Sequence, residues 1–173
     1  MSRRPTELEY YAFVERYISK VPDGEVIDLL EAKLYEVADW MDTLPEELGD
    51  YRYAENKWSL KQVLGHIIDT ERVLGYRLLR GARGDQTPLS GFDEEYFVKH
   101  STIGEHSFPE IAREYTVVRQ ATLTLLAGLS RADWDRRAVI DGNEITVRAL
   151  AYAIAGHELH HLGIMKLKYL PQA

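Results

Sequence analysis

Apolar residues recur at alternating steps of four and three residues along the long segments of this chain. The clearest series consists of Leu30, Leu34, Val37, Met41 and Leu44. This spacing keeps the apolar side chains on one face of an α-helix and is typical of helices that pack in a left-handed bundle. Comparable series predict four long helices, near residues 25–44, 60–81, 108–129 and 147–170.

Capping boxes mark where helices begin. In such a box a Ser or Thr side chain accepts a hydrogen bond from the backbone three residues on, and a Glu or Gln there bonds back. The chain has this pattern at Thr6–Glu9, Ser59–Gln62 and Ser107–Glu110. The first box predicts an additional N-terminal helix. Asp23 is the predicted cap of the helix near residues 25–44, and Thr146 that of the last helix.

The remaining segments read as connections. Residues 82–106 form the longest irregular stretch, with a short helix predicted near residues 93–99. Asp141 and Gly142 predict the turn of a small hairpin over residues 139–145. The sum predicts an all-α fold: a four-helix bundle with long crossover connections, plus an N-terminal helix. The length predicts one domain over residues 1–173, with its core at about 25–170.

Composition excludes some functions. A net charge of −7 disfavours nucleic acid and anionic membranes as partners. No apolar run is long enough to cross a bilayer, and the first residues lack the apolar core of a signal peptide, so a cytoplasmic protein is predicted. The chain has no cysteine, which excludes a protein thiolate as nucleophile or metal ligand. Any metal ion must therefore be bound by His, Asp or Glu.

Two histidines lie four residues apart on the last predicted helix. His157 and His161 continue the apolar stripe of Val147, Leu150 and Ile154, so both imidazoles should face the core, about 6 Å apart along the helix axis. Buried ring nitrogens need polar partners. Neutral, hydrogen-bonded histidines are one interpretation, but two stacked imidazoles in one apolar stripe favour the binding of a transition-metal ion.

The same residues satisfy the H-E-x-x-H pattern of zinc peptidases, in which Glu158 would be the general base. Those enzymes take a third metal ligand from further along the chain. Only twelve residues follow His161, and none of them is His, Asp or Glu. A third ligand must therefore come from upstream, which a bundle permits because its sites are built from facing helices.

His66 is the candidate for this third ligand. It lies in the middle of a predicted helix beside the apolar seam, where a partly exposed surface histidine is the simpler interpretation. Gly65 precedes His66, just as Gly156 precedes His157. A glycine in the middle of a helix lowers helix stability by up to about 1 kcal/mol relative to alanine. Such glycines are tolerated where helices approach closely. The two glycines would bring His66 towards His157 and His161, for a metal site or for ordinary packing alone.

The roles of the neighbouring polar residues stay open. His160 lies about 100° around the helix from His161 and could support the site or face solvent. Asp69 could orient a ligand imidazole or be a solvated carboxylate. Glu71 falls at a seam position and could pair with an arginine or lie at a subunit contact. His100 and His106 are predicted to lie in loops and to be solvated.

Two stretches resemble the DinB/YfiT-like metalloproteins. Residues 58–71, WSLKQVLGHIIDTE, are similar to the second-helix motif of that family, and residues 156–163, GHELHHLG, to its last-helix motif. The resemblance implies a four-helix bundle of up-up-down-down type, often dimeric. It also implies a divalent ion, zinc or nickel, held by three histidines. Carried over to this chain, the metal ligands are His66, His157 and His161.

The resemblance also narrows the function. Characterised relatives include S-transferases that use low-molecular-weight thiols and a maleylpyruvate isomerase, and others are described as metal-dependent hydrolases. The first hypothesis is a metal-dependent enzyme acting on a small-molecule substrate, either a thiol S-transferase or a hydrolase. A non-enzymatic metal-binding or stress-associated protein is the second, and a zincin-like peptidase the third. A homodimer is expected, with neither nucleic acid nor membrane as partner.

Overall fold

The computed structural model describes residues 3–170, so the predicted domain extends beyond it at residues 1–2 and 171–173. The helices and strands are, in chain order, α1 Ala12–Ile18, α2 Val26–Asp42, α3 Leu60–Ala82, α4 Glu94–His100, α5 Phe108–Ala127, α6 Arg131–Asp135, β1 Arg137–Ile140, β2 Asn143–Thr146 and α7 Val147–Lys168. Within residues 3–170, no helix combines the length and the apolar character needed to cross a membrane.

Contacts at one end of the bundle define the direction of its four long helices. The carboxylate of Glu46, just after α2, accepts a hydrogen bond of 2.7 Å from the backbone N–H of Phe108 at the start of α5. It also pairs at 2.8 Å with Lys61 at the start of α3. The Tyr169 hydroxyl, at the end of α7, donates to the carbonyl of Trp58 just before α3. Helices α2 and α7 therefore end where α3 and α5 begin.

The resulting order is up-down-down-up, and it differs from the up-up-down-down order that the family resemblance implied. Helices α3 and α5 are consecutive long helices and run in the same direction. The chain must therefore return along the full length of the bundle between them, and residues 83–107 make this crossover and carry α4. The predicted four-helix bundle, its long crossover and its N-terminal helix are confirmed.

The predicted helix starts are confirmed at three of five places. Ser59, Ser107 and Thr146 each accept a hydrogen bond from a backbone N–H in the first turn of α3, α5 and α7. The box at Thr6 closes only a 3-10 turn over Glu7–Glu9, and α1 begins later. Asp23 was the wrong cap for α2: Gly24 turns the chain with φ of 134°, and Glu25 occupies the cap position.

The predicted hairpin leads directly into α7. Strands β1 and β2 pair antiparallel in a register that sets Arg137 opposite Thr146 and Ile140 opposite Asn143. Asp141 and Gly142 have positive φ values of 49° and 75°, as a tight two-residue hairpin turn requires. The short helix predicted near residues 93–99 is also present, as α4.

Apolar side chains form two clusters, one towards each end of the bundle, with a polar layer between them. The layer contains buried side chains from α3, α5 and α7, namely His66, Glu71, Arg119, His157 and Glu158. The first half of α7, from Val147 to Glu158, is buried on all sides rather than along one stripe. Helices α1 and α3 and the hairpin all pack on α7. This packing explains why its first half is buried all round and not along the single stripe that the sequence predicted.

The two mid-helix glycines do not bring α3 and α7 together, so that prediction was wrong. Gly156 lies against the backbone carbonyl of Tyr17, and a Cβ added there would overlap the carbonyl. Gly65 faces the side chain of Ile103, 2.8 Å from where its Cβ would be. The absence of a side chain at Gly156 therefore allows α1 to pack closely on α7. At Gly65 it allows Ile103 of the crossover connection to pack on α3.

Replacing Gly156 by alanine should separate α1 from α7, because a backbone carbonyl cannot move aside as a flexible side chain can. We expect Gly156→Ala to lower the free energy of unfolding by about 1–3 kcal/mol, the usual cost of overpacking. Urea unfolding followed by circular dichroism measures this. Gly163→Ala is the matched control, because Gly163 lies on α7 with no atom near its Cβ position. It should stabilise the protein by up to about 1 kcal/mol; equal effects of the two substitutions would contradict the packing argument.

Glu9 joins the N-terminal segment to the start of α7. Its carboxylate pairs with Arg148 of α7 and, at 2.7 Å, with Arg3, and it accepts a hydrogen bond from the backbone of Thr6. Burial raises the pKa of Glu9, but the hydrogen bonds from Thr6, Arg3 and Arg148 outweigh it and lower the pKa to about 2. The ionised carboxylate is therefore more favourable in the folded protein than in the unfolded chain.

This lowered pKa predicts an acid-sensitive contribution to stability. The contribution is complete above the unfolded pKa of 4.5 and is lost as the pH falls towards 2, because the unfolded chain then binds the proton more readily. We expect the free energy of unfolding to fall less steeply below pH 4.5 in Glu9→Gln than in the wild type. Glu7→Gln is the control, since Glu7 is exposed. Identical pH profiles for Glu9→Gln and wild type would contradict this.

Candidate metal centre

Three histidines from two helices meet in the polar layer of the bundle. His66 of α3 and His157 of α7 are buried, and their Nε2 atoms lie 2.9 Å apart. The ring of His161, one turn further along α7, has its centroid 4.8 Å from that of His66 and 4.5 Å from that of His157. One nitrogen from each ring can be chosen so that all three lie within 4.8 Å of one another. The structure thus brings together all three predicted site residues.

The donor set and its spacing fit a divalent transition-metal ion. In a tetrahedral site with metal–nitrogen distances near 2.0–2.1 Å, two ligand nitrogens lie about 3.3 Å apart. The observed nitrogen distances span this value. Burial lowers the pKa of His66 to about 4 and that of His161 to about 3, and it holds the pKa of His157 well below its usual value. All three imidazoles are therefore neutral near pH 7, with lone pairs free to bind a metal.

Aromatic side chains pack against two of the three imidazoles. The ring of Trp58 lies 4.7 Å from that of His66. The ring of Tyr17, on α1, lies 5.2 Å from that of His157 and 5.6 Å from that of His160. His160 is partly exposed and packs against the ring of His161 at 5.0 Å. It borders the centre without adding a nitrogen to the three-histidine group.

Of the two roles considered for Asp69, orienting His66 is excluded, and a partly solvated carboxylate is the one found. Its carboxylate faces Arg72, 3.2 Å away on the outside of α3. The group beside the second nitrogen of His66 is the hydroxyl of Thr70, 3.5 Å from Nδ1. Residues 69 and 70 lie about 60° and 40° around the helix from His66 on opposite sides of it, so Thr70 falls on the buried side and Asp69 on the more exposed side. Of the other histidines, His100 is exposed at the end of α4 and His106 is half-buried before α5.

Two cavities border the three histidines. One, of about 200 Å³, has His161, Trp58, Tyr53, Lys57 and Glu95 among its lining residues. It shares Trp58, Lys57 and Glu95 with a wider outer cavity of about 630 Å³. The second of the two, of about 80 Å³, lies on the α1 side and is bordered by His157. A small molecule therefore has room beside the imidazoles on either side.

Glu158, the residue after His157, belongs to a buried ion cluster. Arg119 of α5 is completely buried, and its guanidinium donates two hydrogen bonds of 2.8 Å to the carboxylate of Glu71 on α3. It also bonds to Glu158 at 2.9 Å, and the Tyr115 hydroxyl donates to Glu158 at 2.6 Å. Both of these bonds reach Oε1 of Glu158, and its Oε2 accepts a longer bond of 3.4 Å from Arg119. Of the two roles considered for Glu71, pairing with an arginine is the one found.

The two carboxylates keep the Arg119 guanidinium protonated despite its burial. Burial lowers the pKa of Arg119, but Glu158 and Glu71 outweigh burial and raise it above its usual value. Burial and the neighbouring carboxylate of Glu158 raise the pKa of Tyr115, so its hydroxyl remains a proton donor to that carboxylate. The guanidinium bonds to both carboxylates, and the Tyr115 hydroxyl adds a hydrogen bond to that of Glu158.

Sequence reasoning missed the aromatic and cationic residues around the centre. Arg119 follows Tyr115 by four residues and precedes Thr122 by three, so it occupies the buried face of α5. A charged residue in that register was the available signal, and together with Glu71 in the seam of α3 it indicates a buried ion pair. The motif over residues 58–71 includes Trp58 but does not say what it contacts, and no signal marks Tyr17, because their contacts depend on how the loop before α3 and helix α1 pack.

The sequence of the chain matches the model of a known protein family. The family model of the DinB superfamily matches residues 29–165. The chain belongs to the DinB superfamily. The matched range covers the four long helices apart from the first residues of α2 and the last of α7, and it includes all three histidines. No curated protein matches the chain in sequence.

Two solved structures share the fold at low sequence identity. YfiT from Bacillus subtilis, described as a probable metal-dependent hydrolase with an unusual four-helix bundle topology, is 18% identical with a TM-score of 0.66, covering 96% of this chain and 91% of YfiT. A mycothiol-dependent maleylpyruvate isomerase is 12% identical with a TM-score of 0.66, covering 90% of this chain. The alignment covers only 64% of the isomerase chain. At these identities the likeness concerns the DinB-type bundle alone.

Removing the Arg119 guanidinium should strongly destabilise the bundle, because it would leave the carboxylates of Glu71 and Glu158 buried without their cation. We expect Arg119→Met to lower the free energy of unfolding by about 3–5 kcal/mol. Arg72→Met is the matched control: Arg72 also contacts two carboxylates, of Asp69 and Glu114, but its side chain is 47% exposed. Its loss should cost less than about 1 kcal/mol.

Chemical denaturation of the two variants measures how much each arginine contributes to the free energy of unfolding. Equal destabilisation by Arg119→Met and Arg72→Met would contradict the argument. Adding Glu71→Gln and Glu158→Gln to Arg119→Met should restore part of the lost stability, because neutral amides are cheaper to bury than carboxylates.

Proposed function

We propose that this protein is a metal-dependent enzyme acting on small molecules, in which His66, His157 and His161 hold a divalent ion. The observation that carries the proposal is the convergence of three neutral imidazoles from α3 and α7, with nitrogens within 4.8 Å, in the core of the bundle. Isolated buried imidazoles would need hydrogen-bond partners, but here the nearest polar groups to each ring include the other rings. A shared cation would satisfy all three.

Zinc and nickel are the proposed metals. An all-imidazole donor set suits zinc, nickel, copper and iron rather than magnesium or calcium, which prefer oxygen ligands. Three protein ligands also leave coordination positions free, which is the pattern of catalytic rather than structural zinc sites. The family membership and the description of YfiT as metal-dependent are consistent with this choice.

The bound ion would supply Lewis acidity, lowering the pKa of a water molecule or a thiol towards neutrality. The chain's own residues prepare that chemistry. Burial keeps the imidazoles unprotonated, Trp58 and Tyr17 limit the access of water, and the cavities beside His161 and His157 leave room for a substrate. Arg119, through Glu158 and Glu71, fixes the rotation of α7 and α3 and so the direction of the imidazoles.

Hydrolysis and thiol S-transfer are the two proposed reactions. The chain has no cysteine, so an S-transferase would use the thiolate of a low-molecular-weight co-substrate. YfiT's description favours hydrolysis, while the mycothiol dependence of the isomerase favours a thiol co-substrate. A zincin-like peptidase is disfavoured, because both oxygens of the Glu158 carboxylate are held by Arg119 and Tyr115 and it cannot serve as a mobile base.

The remaining predictions concern the setting of the enzyme. We propose a homodimer located in the cytoplasm, with a small-molecule substrate and with neither nucleic acid nor membrane as partner. Light scattering on purified protein tests the dimer directly, since a mass near twice 19.9 kDa is expected.

Metal content is the first test. The wild type incubated with zinc or nickel and then desalted should retain about one ion per chain. His66→Ala should lose stoichiometric metal, because two imidazoles from one helix then remain. His100→Ala is the matched control, as His100 is exposed on α4, and it should bind metal like the wild type. Full retention of metal by His66→Ala would exclude the three-histidine centre.

Turnover is the second test. The metal-loaded protein is assayed with model esters and amides, and with low-molecular-weight thiols plus an electrophile. Activity should disappear after chelation and return with zinc or nickel. Tight metal binding without turnover in either assay would favour the non-enzymatic metal-binding alternative, and activity that survives chelation would exclude the proposed chemistry.

A further inference from the structure

Arg77 is a buried cation without a carboxylate partner nearby. It lies on α3 and is only 7% exposed. Its guanidinium donates one hydrogen bond of 2.8 Å to the carbonyl of Ser90 and lies 5.5 Å from the ring centre of Phe92. Among residues 3–170 no carboxylate comes within ion-pair distance of it. Asp141, exposed in the hairpin turn, acts on it only at longer range.

The other two buried arginines show what Arg77 lacks. Arg119 bonds to two carboxylates in the bundle core. Arg148 pairs with Glu9 and with Asp135. Burying a charge without a counterion is unfavourable, and proteins normally pair such groups. The charge of Arg77 is therefore available to an anion that the chain itself does not provide.

Arg77 lines the cavity that reaches the candidate metal centre. This cavity, of about 80 Å³, lies between α1, α3 and α7. Leu150 and His157 line it on α7, and Thr70 and Arg77 line it on α3. Seven residues separate the members of each pair, which corresponds to about 10 Å of helix. Because α3 and α7 are antiparallel, the Arg77 end lies beside Leu150 and the opposite end beside Thr70 and His157.

The other cavity walls are mainly apolar and aromatic. Tyr11, Phe13 and Tyr17 line it from the α1 side, and Phe92 lines it from the crossover connection. Glu94 is the one carboxylate among the lining residues, and it interacts with Arg16 and Tyr17 rather than with Arg77. An anionic group is thus repelled near Glu94 and attracted at the Arg77 end.

We propose that this cavity binds a small molecule with a carboxylate at one end and an apolar body, with the carboxylate held by Arg77 and the body extending towards His157. A guanidinium binds a carboxylate through two parallel N–H groups, and the aromatic walls suit an apolar body. This deepens the proposed function and rests on it for the role of His157, since it assigns the substrate or co-substrate to a class. Binding of the carboxylate to Arg77 requires no metal.

The test uses benzoate as probe and benzyl alcohol as its uncharged analogue, titrated into the full chain by NMR. The chain is first freed of metal with a chelator, so that a carboxylate cannot bind to an ion at the histidines. Benzoate should bind the wild type, and Arg77→Met should weaken it by at least about tenfold while leaving benzyl alcohol within about twofold. Arg83→Met is the matched control, since Arg83 is exposed beyond the end of α3, and it should leave both probes unchanged.

Three results would overturn the proposal. Benzoate binding unaffected by Arg77→Met, equal weakening of both probes, or benzoate binding seen only with metal present would each show that Arg77 does not recognise the carboxylate. Arg77→Lys guards against a folding defect: it keeps the charge but loses the paired N–H groups, and should retain part of the binding. Metal content of His66→Ala reports on the metal centre independently, so failure of one proposal is distinguishable from failure of the other.

Discussion

The buried ion cluster around Arg119 is the interaction on which the geometry of the bundle depends. Besides Glu71 of α3 and Glu158 of α7, the guanidinium reaches the carbonyl of Leu30 on α2, 3.3 Å away. The Tyr115 hydroxyl, one turn earlier on α5, donates to Glu158 and also lies 3.2 Å from the carbonyl of Lys33, the weaker of its two acceptors. A single side chain thus contacts all four long helices. Since a buried carboxylate without its cation is costly, helices can neither rotate nor slide far without breaking the cluster.

This constraint also directs the imidazoles. Glu158 follows His157 directly, and neighbouring residues on a helix point about 100° apart. Holding Glu158 against Arg119 therefore turns His157 towards α3 and α1. On α3, Glu71 and His66 are related in a similar way, five residues apart. The ion cluster and the three histidines occupy one polar layer between two apolar clusters. On α7, Glu158 therefore belongs to the ion cluster that stabilises the bundle, while the adjacent His157 belongs to the candidate metal centre.

Helix α1 lies outside the four-helix bundle but closes one side of the centre. Gly156 lets the carbonyl of Tyr17 approach α7, and the Tyr17 ring then packs on His157. The same helix provides one wall of the cavity that contains Arg77. The family model begins at residue 29, after α1, so this cover is a feature of the chain outside the range matched by the model.

Much of the fold follows from local rules that act within a few residues. Alternating three- and four-residue spacing specified the long helices, and the caps at Ser59, Ser107 and Thr146 specified where three of them begin. The i, i+4 pair of His157 and His161 was readable because helical geometry alone places the two rings together. Local rules did not predict the order of the bundle or the partners of Gly65 and Gly156. They also did not decide whether Asp69 faces His66 or solvent.

Contacts between residues distant in sequence decided the rest. His66 was a candidate from its helix and from the family motifs, but only the antiparallel packing of α3 on α7 brings its Nε2 within 2.9 Å of that of His157. Arg119 and Arg77 look alike in the sequence, as arginines on amphipathic helices. One is neutralised by carboxylates from two other helices, and the other lines a cavity without one, because the counterions come from helices whose positions only the tertiary structure fixes.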